Sequence, residues 1–295
     1  MTHSQQIRPG KTPSSVPVHH QPLPPDLAEA LDGCRDRLGA LADRVLYFET
    51  VGSTNDVATA LAVDAGCEGA VVIAGAQTSG RGRRGRTWFS PPGAGLYVSV
   101  ILAPSRARFS PERAVSLLTL SAGVALAEAV ERVTGLAPSI KWPNDLLVDR
   151  RKLAGILAEG VAQPSADGLR AVVLGYGINV GAAAFPPDLA DRVTALESEL
   201  GRGVDRAMLC AESLVALATR YDDLIAGRFD AILDAWRTRS FGSRGAKVEW
   251  DSASGVRSGI TEGIDDMGAL LVRSGDTLER IVAGEVRWGL HAASH

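Results

Sequence analysis

The stretch SIKWPNDLLVDRRKLAGILAEGVAQPSADGLRAVVLGYGINV (139–180) decides the architecture. It contains four strand-like pieces in close succession: SIKW, DLLVD, KLAGILAEGV and LRAVVLGYGINV. No helical periodicity separates them. Parallel strands need a long crossover, usually a helix, whereas antiparallel neighbours do not. Upstream, VLYFETV (45–51), GAVVIAGAQ (69–77) and LYVSVIL (96–102) also read as strands. Helices are predicted over 26–41, over NDVATALAVDAG (55–66) with Ser53 or Thr54 as cap, over 111–133, and through much of 188–240. Strands and helices are mixed without regular βαβ alternation, so the fold class is α+β, built on a mixed or antiparallel sheet.

After Gly242 the pattern changes to short strands with turn glycines: AKVEW (246–250), RSGITEGI (257–264), GALLVR (268–273) and LERIVAGEVRW (278–288). That is the signature of a small β-barrel or sandwich of about 50 residues. At the other end, residues 1–25 carry six prolines among Ser, Gln and His and read as a disordered tail. The expected division is therefore a tail over 1–25, a main domain over 26–242 and a β domain over 243–295.

Composition narrows the chemistry. The 295 residues are 45% hydrophobic and 22% charged, with a formal net charge of −3, so any anion-binding role needs a local basic cluster. The three cysteines, Cys34, Cys67 and Cys210, have neither disulfide-framework nor metal-ligand spacing, which fits a reducing compartment. No secretory leader and no run of about 20 apolar residues is present, so a cytoplasmic location away from membranes is expected. All five histidines lie near the ends, at His3, His19, His20, His291 and His295. Histidine general-base, triad or metal chemistry in the core is thereby disfavoured. Lysine is scarce, occurring only as Lys11, Lys141, Lys152 and Lys247 among 31 basic residues. Two of the four fall within one short stretch.

The loop SGRGRRGRTWFSPPG (79–93) packs three glycines and four arginines into GRGRRGR. Glycine lets backbone amides converge on an anion, and Arg81, Arg83, Arg84 and Arg86 add donors suited to carboxylate or phosphate. A solvated basic loop or an RNA-binding patch would read the same way. The glycine spacing is not that of a dinucleotide fingerprint. In IKWPNDLLVD (140–149), Lys141 could meet a phosphate and Asp145 a hydrated Mg²⁺, although WPND also reads as a plain turn with a core tryptophan. In RKLAGILAEG (151–160), Lys152 precedes a strand with an interior glycine, Gly155, a mark of close ligand approach. GYGINV (175–180) ends a buried strand in glycines and Asn179.

Taken in order, GSTN (52–55), GRGRRGRTW, KWPNDLL, KLAGIL, GYGINV and GIDDMGALL (263–271) closely resemble the biotin protein ligases over roughly residues 45–290. The resemblance implies a catalytic α+β domain related to class II synthetases, with a C-terminal SH3-like barrel. It implies a reaction in which biotin and Mg-ATP give biotinyl-5′-AMP, which then acylates a lysine of a biotin carboxyl carrier protein or domain. By motif position, Ser53, Thr54, Asn55, Gln77, Gly80, Arg81, Gly82, Arg83, Lys152 and Gly155 would line the biotin site. Lys152 would meet the biotin carboxylate, and Arg83 would close the loop over the adenylate. Arg83, Arg86, Trp88, Lys141, Asn144, Asp145 and Asn179 would serve ATP, with Asp145 on its Mg²⁺. Some relatives of this kind also bind DNA through an N-terminal helix-turn-helix. The single helix expected before the first strand cannot make one, so the type without a DNA-binding domain is expected, with no nucleic-acid partner. A lipoate ligase and a biotin-sensing regulator are the alternatives.

Overall fold

The computed structural model describes residues 19–63, 66–162, 169–182, 185–252, 255–282, 284 and 286–289. Most of the expected tail, residues 1–18, lies outside them. Residues 19–24 do not continue that tail: the Gln21 amide donates to the Tyr47 carbonyl (2.9 Å), and the Gln21 side chain accepts from the Glu49 amide (3.2 Å). The helix expected over 26–41 is two, α1 (Pro25–Gly33) and α2 (Arg35–Leu38), broken at Cys34.

There follow β1 (Val45–Val51), α3 (Thr54–Leu61), β2 (Val71–Gln77), β3 (Gly95–Leu102) and the 24-residue α4 (Pro111–Thr134). Then come β4 (Ser139–Lys141), β5 (Asp145–Val148), β6 (Arg151–Ala162) and β7 (Leu169–Asn179). These seven strands form one sheet in the order β1-β2-β3-β7-β6-β5-β4. Only β1 and β2 are parallel, because α3 crosses between them; every other neighbour is antiparallel. The sheet is mixed, as expected. The long helical stretch resolves into α5 (Leu196–Leu200), α6 (Arg206–Ile225) and α7 (Phe229–Arg239). Asp205 caps α6 by accepting from the Met208 amide (2.9 Å). Ser53 occupies the cap position of α3 but makes no side-chain cap bond.

Alternation along the strands sorts residues onto two faces. Val98, Val100, Val172, Leu174, Tyr176, Ile178, Ala154 and Ile156 face the main core with α4 and α6. Val72, Ala74, Ile101, Ala171 and Val173 face the other way, where Ala58 and Ala62 at the α3 end cover them. Among the described residues only α4 is long and apolar enough to cross a membrane. Since 72% of its most apolar window is buried in the protein, it is a core helix.

The remaining strands, β8 (Arg244–Ser252), β9 (Gly255–Ile264), β10 (Leu270–Ser274), β11 (Thr277–Ile281) and β12 (Val286–Trp288), make a second, antiparallel sheet ordered β11-β10-β9-β8-β12. The turn 265–269 joins it to the first unit. Asp265 Oδ1 accepts from the Met267 and Ala269 amides (both 2.9 Å), which shapes the turn. Gly268, at φ +79°, lies against Leu117 and Leu120 of α4, where a Cβ would come within 2.8 Å of Leu120. The Gly268 carbonyl accepts from Trp142 Nε1 (2.9 Å) and the Met267 carbonyl from Ser116 (2.6 Å). The GIDDMG motif thus docks the small sheet onto α4 and the WPND turn.

Candidate active site

The α3 face of the sheet is covered by α3 at one end only. Further along it the side chains thin out: Gly155 on β6 pairs with Gly177 on β7, and Leu157 pairs with Gly175, so three of these four positions are glycine. The missing side chains leave a trough. An open cleft of about 430 Å³, counting space open to solvent, lies over it, lined by Ser53, Thr54, Asn55, Gln77, Arg81, Gly82, Arg83, Trp88, Asn144, Lys152 and Gly155 together with the β6 and β7 residues around Gly175 and Gly177. The glycines are required by what lies on them. A Cβ at Gly175 would stand 1.9 Å from Asn55 Oδ1, and one at Gly177 would stand 2.3 Å from Trp88 Nε1.

One wall is a run of buried and half-buried polar side chains. Ser99 donates to Asn55 Oδ1 (2.6 Å), and its hydroxyl lies 2.8 Å from that of Thr54. The Thr54 amide donates to Gln77 Oε1 (2.8 Å), and Gln77 Nε2 donates to Ser90 (2.9 Å). Each amide side chain is therefore oriented. The Asn55 amide group also donates to Glu159 (2.8 Å).

The basic loop is a small hairpin. Arg81 bridges to Thr87, the Gly82 amide donates to the Arg86 carbonyl and the Trp88 amide to the Gly80 carbonyl (both 2.8 Å). Arg84 (φ +58°) and Gly85 (φ +74°) turn its tip. Gly80 is packed beneath, where a Cβ would meet the Trp88 carbonyl at 2.4 Å, and it does not reach the cleft surface. The arginines are not equivalent. Arg81 is gripped by Asp56 and Glu159 (both 2.5 Å), and the bond to Asp56 is the main reason its pKa is raised further. Arg83 donates to Asn144 Oδ1 (3.0 Å) at the cleft. Arg86 is exposed and lines no part of it.

The opposite wall comes from the WPND turn and β6. Asn144 donates to the Ile156 carbonyl (2.8 Å), so its amide too is oriented. Lys152 Nζ sits 2.7 Å from Asp145 Oδ1 and 5.2 Å from the centre of the Trp88 ring, an ion pair with a cation–π contact. Trp142 is the core tryptophan of the turn, following the plain reading of WPND, and the Trp142–Pro143 peptide is cis. Asn179 is buried and donates to the Thr194 carbonyl (3.0 Å), bracing the backbone beside Lys152 without lining the cleft. Lys141, at the end of β4, also lies outside the lining. From Arg83, Ile156 and Leu157 a second space of about 670 Å³ continues toward Trp142, Met267 and Val282.

Eleven of the motif residues thus meet in one cleft, with Asp145 one contact behind it, while Gly80, Arg86, Lys141 and Asn179 lie outside its lining. Sequence reading missed Ser99, Ser90, Asp56 and Glu159. Two had a visible signal: Ser99 is polar inside LYVSVIL, and Glu159 is a carboxylate four residues beyond Gly155, on the same strand face.

The cleft can orient a small ligand through fixed amides and hydroxyls, and it presents Lys152 and Arg83 to an anion. Trp88 Nε1 is buried with no hydrogen-bond partner among the described residues, a donor suited to a ligand acceptor. No group of three or more His, Cys, Asp or Glu side chains suited to a metal occurs among the described residues. A lone carboxylate, Asp145, fits Mg²⁺ that arrives already held by phosphates, not a dedicated metal cage.

Residues 47–179 match the biotin/lipoate A/B protein ligase family, and residues 254–287 match the biotin protein ligase C-terminal domain. The chain is 34% identical over 251 residues to the bifunctional ligase/repressor BirA of Bacillus subtilis, a match covering 84% of this chain and 75% of that protein. It is 35% identical over 244 residues to the biotin–[acetyl-CoA-carboxylase] ligase of Paracoccus denitrificans, covering 80% of this chain and 97% of that one. Among solved structures it aligns with biotin protein ligase from Aquifex aeolicus in complex with biotin and ATP, at TM-score 0.70 and 26% identity, over 84% of this chain and 99% of that one. With both family regions present in order, and a relative matched over nearly its whole length, this chain belongs to the biotin protein ligases, a family of enzymes.

Proposed function

We propose that the protein uses ATP to join biotin to a lysine of a biotin carboxyl carrier domain, in two steps on the one cleft. In the first, a biotin carboxylate oxygen attacks the α-phosphorus of ATP; the bond to the leaving pyrophosphate breaks and biotinyl-5′-AMP forms. In the second, a carrier lysine, having lost a proton, attacks the acyl carbon. An amide forms and AMP leaves.

Carboxylate and triphosphate repel each other, so the site has to supply positive charge and alignment more than acid–base chemistry. That suits a cleft built from lysine, arginine and fixed amides. The observation that carries the reading is the convergence of Lys152 and Arg83 with the oriented amides of Asn55, Gln77 and Asn144 over the glycine trough. Ser53, Thr54, Asn55 and Gln77 would hold the neutral, hydrogen-bonding head of biotin. Lys152 would leave Asp145 for the biotin carboxylate and the charge developing at the α-phosphate. Mg²⁺, bound with ATP, neutralises phosphate charge, and Asp145, once released by Lys152, would hold it. Arg83 stands at the junction with the second space, into which an adenylate longer than biotin can extend. Excluding water there would protect the reactive anhydride. Buried free thiols at Cys34, Cys67 and Cys210 suit a reducing, cytoplasmic setting.

The test is pyrophosphate release from MgATP with biotin, with lipoate and with no acid, followed by labelling of a purified carrier domain. Biotin-dependent release and amide formation are expected. Release with lipoate alone would overturn the substrate assignment, and biotin binding with no release at all would make the protein a sensor.

A further inference from the structure

Glu159 lies in RKLAGILAEG, just beyond KLAGIL, and is given no role in that motif, yet it touches two of the residues placed in the biotin pocket. Its carboxylate accepts from Asn55 Nδ2 at 2.8 Å and from Arg81 Nη2 at 2.5 Å. Those partners come from different elements. Asn55 is in the first turn of α3, and Arg81 belongs to the basic hairpin. The geometry around Asn55 spans three adjacent strands. Its amide lies over Gly175 on β7. Its oxygen is held by Ser99 on β3, which pairs with Gly175, and its nitrogen by Glu159 on β6, two residues beyond the other partner of Gly175. An asparagine amide donates only from nitrogen and accepts only at oxygen, so this pair of neighbours allows a single orientation. The second Glu159 oxygen takes one arm of the Arg81 fork, and Asp56 takes the other at 2.5 Å. A guanidinium bound on both arms is a strut and not a ready anion receptor.

We propose that Glu159 is a positioning residue that locks the Asn55 amide and the Arg81 end of the basic hairpin together, so that the biotin pocket and the loop closing it are built as one unit. The proposal rests on the biotin reading of the cleft. It assigns anion recognition to Arg83 and Lys152, and scaffolding to Arg81, within one arginine-rich loop. Removing Glu159 would let the Asn55 amide rotate and free Arg81 from the β6 side. Both effects fall on biotin, and neither falls on groups proposed to meet MgATP.

The experiment compares the full chain with Glu159→Gln, Glu159→Ala and Asp56→Asn. It measures biotin affinity by titration calorimetry without ATP, KM for biotin and for MgATP in pyrophosphate release, and thermal midpoint. Glu159→Ala should weaken biotin binding at least tenfold while KM for MgATP stays within twofold. Glu159→Gln, isosteric and still able to accept from Asn55, should fall between wild type and Ala. Asp56→Asn, which leaves the Asn55 contact whole, should weaken biotin less than Glu159→Ala does. Unchanged biotin affinity in both Glu159 variants would overturn the proposal. So would parallel rises in both KM values with a lowered thermal midpoint, since that pattern means a loosened fold. The calorimetric comparison needs no turnover: wild-type protein that binds biotin without releasing pyrophosphate would refute the ligase reading, and the variant affinities would still decide the role of Glu159.

Discussion

Strands β6 and β7 present two faces to two different environments, and the contrast explains why one stretch of chain serves both stability and chemistry. Toward α4 and α6 they send Ala154, Ile156, Leu174, Tyr176 and Ile178, all buried in the main core. Toward the cleft the same strands send Gly155, Glu159, Gly175 and Gly177, where indole, amide and ammonium groups replace aliphatic packing. The core face is held by apolar burial, at about 1.5–3 kcal/mol for each large side chain. The cleft face is held by directional bonds between residues far apart in sequence, so small shifts there change ligand geometry more than stability.

The largest effect should come from the cleft side. Lys152→Ala removes the one ammonium on that wall and should lower biotin-dependent pyrophosphate release by about 10²–10³-fold, the usual consequence of losing a charge-stabilising donor. Near-normal release in single-turnover assays would show that the cleft face does not carry the chemistry. Next, Gly175→Ala places a methyl group where Asn55 Oδ1 now lies. Displacement on that scale should cost about 10²-fold in biotin affinity, with little loss of fold, because misplacement near 1 Å is enough. Calorimetry together with far-UV circular dichroism would check it; intact affinity would mean that Asn55 makes no contribution to the ligand.

Two further tests act on the core side. Leu174→Ala, one residue away in sequence but on the other face, should cost about 2–5 kcal/mol in denaturant unfolding and leave the biotin KM of the folded fraction unchanged. A raised KM with normal stability would invert the assignment of faces. The smallest effect concerns α6, which covers the core face. There Glu212 is buried and accepts from Arg37 at 2.6 and 3.2 Å, with Arg132 3.5 Å away. The Arg37 bond, opposed by burial and aided by the charges of Arg37 and Arg132, holds the Glu212 carboxyl below its ordinary value of 4.5. A depressed carboxylate contributes stability that is complete above the ordinary value and is lost as pH falls through the depressed one. Thermal midpoints of wild type and Glu212→Gln should therefore differ most above about pH 5 and converge toward lower pH. A difference independent of pH would remove the ionised pair from the explanation.

How legible all this was depends on the range of the interaction. The strands of the main sheet, the long α4 and the change of pattern after Gly242 follow from local periodicity and turn chemistry, because burial on one face imposes a period of two or 3.6 on nearby residues. The motif loops were equally local, since GRGRRGR and WPND carry their special backbone residues within a few positions. Element ends were less legible. The expected single helix over 26–41 breaks at Cys34, and Gln21, expected in the tail, bonds to Tyr47 and Glu49 of β1.

The division of labour within the site depends on pairings across the fold. Local chemistry makes Arg81 and Arg83 alike; the fold brings Glu159, 78 residues away, to Arg81 and Asn144, 61 residues away, to Arg83. Asn179 looks like a binding residue at the end of a glycine-rich strand, and folding turns it inward to brace the backbone beside Lys152. GIDDMG carries only a family resemblance in the sequence, yet its position against α4 makes it the joint between the two sheets. Periodicity records which face of an element is buried. It does not record which distant side chain completes a hydrogen bond there, because that bond forms only when the chain closes upon itself.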